Sequence, residues 1–397
     1  MLNARLAELT DHTFRRLAQL LDPVQPRINL PPVNLSVGTP SHKPPPFVAE
    51  IVARKRDDWN EYPAYFGTSE LRKACADWVT RRYKLPAGMI DPEKMIVPVA
   101  GTREGLYMAA TVAVTPSLGG PKPLALMPNP FYQVYIGASV MAGAEPAFLP
   151  ATKATGFLPD LDVVPEATWK RTQIFYMCSP ANPQGSVASL DYLKKLLGLA
   201  RKHDFLLVTD ECYSELYYTP EPAPGGLDAA KALSGGLDNI LVMHSLSKRS
   251  SSPGLRMGIA TGSPKTIAML NRLRAYSCAA SPLAVMEAAT ECWKDETHVE
   301  EMRAHYRRIY AMSERVLKGR FGYYRPDGGF YLWLDVGNGE EAAKRLWTEA
   351  AVRVLPGSYM TRDNPDGSND SHRYIRVAMV GDLESTEAAL TRMAKLL

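Results

Sequence analysis

Phe205-Leu206-Leu207-Val208-Thr209-Asp210-Glu211-Cys212-Tyr213 is an apolar run that ends on two carboxylates and a phenol. A short run of this kind reads as a strand buried on both faces. Comparable runs stand on either side of it. They are Met95-Ile96-Val97-Pro98-Val99, Leu124-Ala125-Leu126-Met127, Gln173-Ile174-Phe175-Tyr176-Met177 and Ile240-Leu241-Val242-Met243. Helical periodicity separates them, as over 103–114 and 190–202. This alternation predicts an α/β domain, a mostly parallel sheet with helices on both faces. Ligands in such sheets bind beyond the carboxyl ends of the strands. The polar residues directly after each run are therefore the candidates for chemistry.

Further along, a helical pattern spans 284–318 and is interrupted near Asp295. Gly328-Gly329-Phe330-Tyr331-Leu332-Trp333-Leu334 and Arg373-Tyr374-Ile375-Arg376-Val377-Ala378 read as strands, and 385–396 as a closing helix. Together they predict a second, smaller α+β domain. Ahead of the sheet, Phe14, Leu17, Leu20 and Leu21 form a helical pattern, and prolines follow from Pro23 to Pro46. Prolines that dense favour an extended arm, lying across the small domain or a partner subunit. The expected divisions are an arm over 1–45, a large domain over 46–283 and a small domain over 284–397.

A chain of 397 residues is long for one core, in keeping with two domains. The net charge of +4 is dispersed along the chain, so nucleic acid is not an expected partner. Arg54-Lys55-Arg56-Asp57-Asp58 reads as a solvated helix face. None of the five cysteines forms a C-x-x-C pair. They predict reduced, packed thiols in a cytoplasmic protein, without a metal site. Met1-Leu2-Asn3-Ala4-Arg5-Leu6-Ala7-Glu8 lacks the apolar segment of a signal peptide. No run reaches the roughly 18 apolar residues of a membrane span.

Four segments follow apolar runs or the turns after them: Ser179-Pro180-Ala181-Asn182-Pro183-Gln184-Gly185, Asp210-Glu211-Cys212-Tyr213, Ser245-Leu246-Ser247-Lys248 and Pro253-Gly254-Leu255-Arg256. Singly each is weak: a lone S-x-S-K is usually a surface turn, and a lone Asp after a strand is usually a helix cap. Their order and spacing carry the signal. In both, the chain resembles the fold-type-I pyridoxal-phosphate (PLP) aminotransferases, the aspartate-aminotransferase family. The resemblance runs from Leu35-Ser36-Val37-Gly38-Thr39-Pro40 to Arg376. It implies a large domain with a seven-stranded, mostly parallel sheet, a smaller α+β domain, and PLP as cofactor.

The resemblance assigns roles that the chemistry explains. Lys248 would hold the cofactor aldehyde covalently yet exchangeably through its amine, then carry the substrate proton, which requires it to be neutral. Asp210 would face the pyridine nitrogen and favour its protonated form. Tyr213 and Asn182 would donate hydrogen bonds to the cofactor's phenolic oxygen. Ser245, Ser247 and Arg256 would bind the phosphate, with the backbone amides of Gly101, Thr102 and Arg103 at a helix start. Tyr132, in Asn129-Pro130-Phe131-Tyr132, would stack on the ring, with Phe131 as its rival. Tyr62 begins Tyr62-Pro63-Ala64-Tyr65-Phe66-Gly67-Thr68-Ser69-Glu70-Leu71-Arg72 and would reach the phosphate of the neighbouring subunit, which implies a homodimer with shared active sites. Arg376 would grip the substrate α-carboxylate, helped by Asn182 and the Gly38 backbone. Gln184 departs from the family's usual Thr, and Ala100-Gly101-Thr102 from its Gly-rich turn.

His244 to Ser250, Asp210 to Tyr217, Asn129 to Tyr135 and Leu355-Pro356-Gly357-Ser358-Tyr359 look like the bacterial N-succinyldiaminopimelate aminotransferases of lysine biosynthesis. The implied reaction exchanges an amino group between glutamate and a 2-oxo acid, with 2-oxoglutarate as co-product. Arg249 and Arg27 are candidates for the far carboxylates of such a substrate. Alternatives that keep PLP are transamination of aspartate, aromatic residues or kynurenine, and C–S β-lyase chemistry. A PLP-binding regulator would carry a helix-turn-helix domain ahead of the fold, and the proline-rich start shows no such pattern.

Overall fold

The arm forms α1 (Thr13–Leu21) and β1 (Val33–Asn34). The α/β part then runs α2 (Pro46–Arg54), α3 (Ser69–Arg82), β2 (Ile96–Val99), α4 (Thr102–Ala113), β3 (Leu124–Asn129), α5 (Gln133–Ala142), β4 (Glu145–Pro150), α6 (Glu166–Arg171), β5 (Thr172–Cys178), α7 (Leu190–His203), β6 (Leu206–Asp210), α8 (Gly226–Ala232), β7 (Ile240–Ser245), α9 (Leu246–Arg249), β8 (Gly258–Gly262) and α10 (Pro264–Ser277). The remainder comprises α11 (Leu283–Lys294), α12 (Thr297–Leu317), β9 (Tyr331–Asp335), α13 (Gly339–Ala350), β10 (Val352–Arg353), β11 (Leu355–Pro356), β12 (Tyr374–Ala378) and α14 (Leu383–Leu396). This computed structural model describes residues 3–10, 12–364 and 367–397; Met1, Leu2 and Asp11 of the expected arm lie outside them. No helix among the described residues is long and apolar enough to cross a membrane.

The large sheet has seven strands in the order β2-β8-β7-β6-β5-β3-β4. β8 is antiparallel to both neighbours, β2 and β7, and the other pairings are parallel. It follows that β2 runs the same way as β7, and six strands end at one edge. The strands are buried on both sides, which is why they read as continuous apolar runs. Ile174, Tyr176, Leu241 and Met243 pack with Leu106 and Ala109 of α4, Ile136 of α5 and Leu270 of α10. Phe175, Met177, Ile240 and Val242 face the other way, toward Val79 of α3, Leu193 of α7 and Trp293 of α11. Each large aliphatic chain so buried contributes roughly 1.5–3 kcal/mol.

A three-stranded antiparallel sheet, β11-β12-β9, forms the second layer structure. Leu332, Leu334, Ile375 and Val377 pack with Ile309 of α12, Leu346 of α13 and Leu390 of α14. Strand alternation sends Tyr331 and Arg376 to the opposite side, toward the strand ends of the large sheet. The arm is tied to this part of the molecule. Leu17 and Leu21 pack against Trp347, Leu355, Tyr359 and Met360, and β1 pairs in parallel with β10. The Ala378 amide donates to the Leu35 carbonyl at 2.7 Å, which carries Gly38 to the mouth between the two sheets.

Two strands are not legible as apolar runs. β4 is an edge strand, only partly buried and holding two prolines, and β8 is Gly258-Ile259-Ala260-Thr261-Gly262. The expected interruption at Asp295 separates α11 from α12, and the Asp295 carboxylate accepts from the His298 amide at 3.1 Å.

Candidate active site

A cleft of about 540 Å³ opens where β2, β3, β5, β6 and β7 end, beneath β9, β12 and the arm. It brings together Gly38, Thr102, Arg103, Tyr132, Asn182, Asp210, Tyr213, Ser245, Ser247, Lys248, Arg256 and Arg376. These residues span more than 300 positions of sequence; the common edge of the parallel strands gathers most of them, the arm brings Gly38 and β12 brings Arg376.

Asp210 is the last residue of β6 and is only 4% exposed. Burial pushes its carboxyl up from the usual range, opposed by hydrogen bonds from Cys212 and Tyr135. The Tyr135 hydroxyl donates to Asp210 Oδ2 at 2.7 Å. Lys248 sits in the short helix α9, immediately after β7. Its Nζ donates to the Gly38 carbonyl at 2.5 Å. Burial pushes the Lys248 amine down to about 8; the charges of Arg376 and Arg256 act in the same sense, and Cys212 opposes them. A lysine with that environment is half neutral near pH 8.

Arg376, on β12, is 4% exposed and reaches from the small sheet into the cleft. Its Nη1 donates to Asn182 Oδ1 at 3.1 Å and its Nη2 to the Ser36 carbonyl at 2.6 Å, with the guanidinium carbon 4.3 Å from the centre of the Tyr331 ring. Its Nε is buried without a partner. The Tyr213 and Tyr331 hydroxyls lie 3.3 Å apart, and burial raises the Tyr213 phenol well above its usual value.

Gly101 has φ +77° and precedes α4, while Arg256 has φ +54° and folds back over it. Arg256 Nη2 donates to the Ala100 carbonyl at 3.0 Å and Nη1 to the Pro253 carbonyl at 2.7 Å. A side chain at Gly101 would collide with the Arg256 guanidinium. Gly101 thus shapes the wall without lining the cleft itself. Ser245 Oγ caps α9 by accepting from the Ser247 amide at 3.1 Å. Arg103 Nε donates to the Tyr132 hydroxyl at 2.8 Å, and both side chains face the cleft; Phe131, the rival for stacking, is buried but also touches it.

Two expected residues, Arg249 and Arg27, are elsewhere, and Tyr62, expected to serve a neighbouring subunit, is not part of this chain's cleft. Tyr62 is fully exposed and stands clear of this chain's cleft. Arg249 cannot serve a substrate: it is buried between Trp78 and Trp293, with Nη1 on the Cys292 carbonyl at 2.5 Å and Nη2 on Glu296 at 2.7 Å. Its apolar and acidic surroundings, contributed by α3, α11 and the α11–α12 junction, were not visible in its sequence neighbourhood. Arg27 is exposed in the arm and does not line the cleft.

Other lining residues escaped the sequence reading. His12, Thr13 and Phe14 close the mouth from the start of α1, held by Thr13 Oγ1 donating to the Tyr359 carbonyl at 2.9 Å. Cys212 also lines the cleft, its Sγ 2.8 Å from Thr102 Oγ1, so its place is in the site and not only in packing. The polar tyrosine in Gln133-Val134-Tyr135-Ile136 was the signal that could have found Tyr135.

Pyridoxal phosphate fits this donor set. The cleft offers a depressed amine, one buried carboxylate, a guanidinium above a side-chain-free helix start with two serines beside it, and a second guanidinium with an orphaned buried Nε. An aldehyde, a ring nitrogen, a phosphate and a substrate carboxylate are their chemical complements.

Known proteins agree. Residues 31–393 match the family described as aminotransferase class I and II. An aminotransferase from Neisseria meningitidis is 35% identical, superposes with a TM-score of 0.94 and covers 100% of both chains. LL-diaminopimelate aminotransferase from Aquifex aeolicus is 32% identical over 82% of this chain and 83% of its own. A structure described as a probable N-succinyldiaminopimelate aminotransferase from Thermus thermophilus is 28% identical, with a TM-score of 0.83 over 97% of this chain and 100% of its own. Matched along nearly its whole length and furnished with the donors the cofactor needs, the chain belongs to the class I and II aminotransferases and is a pyridoxal-phosphate-dependent transaminase.

Proposed function

We propose that the chain transfers an amino group between N-succinyl-LL-diaminopimelate and 2-oxoglutarate, in lysine biosynthesis. The observation that carries this reading is the charge of the cleft. Lys248, Arg256, Arg376 and Arg103 line it, against one carboxylate, Asp210, among the described residues. With Lys248 given to the aldehyde, Arg256 to the phosphate and Arg376 to the α-carboxylate, Arg103 is left. Its guanidinium, aligned by Tyr132, suits a distal carboxylate. Free LL-diaminopimelate would bring a second ammonium group toward Arg103. Succinylation replaces that cation with a neutral amide and a further carboxylate, which the same surface attracts.

When bound, pyridoxal phosphate supplies an electron sink that weakens the Cα–H bond of the attached amino acid. The chain does the rest. Lys248 Nζ would hold the cofactor and, once displaced and neutral, take the proton from the substrate Cα. Asp210 would hold the proton of the ring nitrogen, and Asn182 and Tyr213 would donate to the phenolic oxygen. Ser245, Ser247, Arg256 and the amides of Gly101, Thr102 and Arg103 would bind the phosphate, and Tyr132 would cover the ring. Arg376, positioned by Asn182 and the Ser36 carbonyl, would clamp the α-carboxylate beside Gly38, orienting the Cα–H bond. The arm over 1–45, the large domain over 46–283 and the small domain over 284–397 are proposed as the units that bear these residues. Tyr62 is 104% exposed and outside the cleft of its own chain, which supports a homodimer in which it completes the neighbouring site. Free cysteines support a cytoplasmic location.

The test is glutamate formation from 2-oxoglutarate with N-succinyl-LL-diaminopimelate, LL-diaminopimelate, N-acetylornithine, aspartate and kynurenine side by side. The succinylated donor is expected to give the highest kcat/KM, and Arg103→Gln to raise its KM by about tenfold or more, the loss of one charge-assisted contact. A higher kcat/KM for LL-diaminopimelate would establish the second reading, which the names of relatives such as the Aquifex enzyme favour. Equal turnover of all donors would remove both.

A further inference from the structure

Asp210 is a carboxylate in an unusually dry place, and the structure shows what keeps it in order. Among the described residues, no cationic side chain bonds to it. Oδ2 accepts from the Tyr135 hydroxyl at 2.7 Å, and Oδ1 lies 3.4 Å from the Cys212 amide, too long for a strong bond. The titratable groups around it are Tyr132 and Tyr135 on the α5 side, Cys178 at the end of β5, and Glu211 and Cys212 on its own segment. Of these, the Cys212 thiol and the Tyr135 phenol both donate to the carboxylate, and the phenol makes the strong oxygen-to-oxygen bond, at 2.7 Å.

That phenol is itself fixed. Tyr135 is 1% exposed, in the first turn of α5. Its ring stacks on Tyr176 of β5 with centroids 4.6 Å apart and planes 6° from parallel, and the Tyr176 hydroxyl is anchored on the Leu106 carbonyl at 2.9 Å. Burial raises the Tyr135 phenol well above its usual value, so it remains a neutral donor throughout the working range.

We propose that Tyr135 is a positioning residue for transamination: by binding one oxygen of Asp210 it leaves the other to the cleft and keeps the carboxylate too weak a base to take the proton from the cofactor's ring nitrogen. The physical reason is competition for one proton. A buried carboxylate that loses its strongest donor becomes a stronger base, and a proton shared with a pyridine nitrogen then shifts toward the carboxyl oxygen. The ring would lose the charge that makes it an electron sink. This inference rests on the reading of Asp210 as the partner of that nitrogen.

The test compares Tyr135→Phe with Tyr176→Phe in the holoenzyme. Both remove a hydroxyl from the same stacked pair, but only the first removes a contact to Asp210. With an isotope-labelled ring nitrogen, the magnetic resonance signal should move toward the neutral-pyridine position in Tyr135→Phe and stay in place in Tyr176→Phe. The pH midpoint of the visible band of the lysine-bound cofactor should rise by roughly half to one unit in Tyr135→Phe, because removing ring charge makes the linking nitrogen more basic, and kcat should fall about tenfold. Equal shifts in the two variants would assign the effect to the stack and overturn the proposal. An unmoved signal in Tyr135→Phe would also overturn it. Asp210→Asn separates the causes: a shift there confines the failure to Tyr135, and no shift there brings down the reading of Asp210 as well.

Discussion

Lys248 shows what a single residue gains from its surroundings. Its amine loses water on burial and faces the charges of Arg376 and Arg256, and the outcome is a value near 8 in place of the ordinary 10.5. Between these two values the unfolded chain binds the proton that the folded one has released, so the cofactor-free protein gains stability as pH rises through that window. The neutral fraction grows about fivefold from pH 7 to pH 8 for such a group. The rate of cofactor uptake by the cofactor-free protein, followed by visible absorbance, should rise by a similar factor, and Lys248→Ala should show no such band. A rate that is flat over this interval would mean the amine is not depressed. At this scale much was legible, because Lys248, Asp210 and Arg376 each lie in a recognisable run. Arg249 was not: one position from Lys248, it turns into the Trp78–Trp293 pair, and helical geometry in α9 points the two side chains to different environments.

The start of α4 is the element on which the proposed phosphate site depends. Gly101 enters the helix at φ +77°, where a side chain is strained, and the Arg256 guanidinium occupies the space a Cβ would take. Gly101→Ala should cost about 1 kcal/mol of stability from the backbone alone. It should also displace Arg256 and weaken cofactor affinity by about tenfold, the loss expected for one charge-assisted contact. Thermal melting and equilibrium dialysis read the two effects separately, and unchanged affinity would show that Arg256 does not serve the phosphate. Elements with two buried faces announced themselves in the sequence by continuous apolar runs, as β5 and β7 do. β4 and β8 did not, since one is a partly exposed edge and the other draws its pairing from flanking strands, with glycines at both ends.

For the whole molecule, the proposed sharing of sites between subunits makes a specific demand. Tyr62 stands fully exposed and away from the cleft of its own chain. Tyr62→Ala and Lys248→Ala proteins should each be severely impaired alone. Dissociated and reassembled together, they should form hybrids with one intact site and recover up to about half the activity per hybrid, since one protomer supplies the lysine and its partner the tyrosine. No recovery on mixing, with hybrid formation verified by mass, would place Tyr62 outside the site. The alternation of strand and helix, the two-sided burial of the central strands, and the residue types at their carboxyl ends were determined by the sequence alone, because periodicity and local chemistry need no partner from afar. What only the tertiary structure decided is the company each residue keeps: Tyr135 behind Asp210, the arm's His12 and Thr13 across the mouth, Arg103 on Tyr132 at the cleft wall and Arg249 locked away from the cleft. Those contacts join segments many positions apart, and they are set by how sheets and helices pack, which no local pattern encodes.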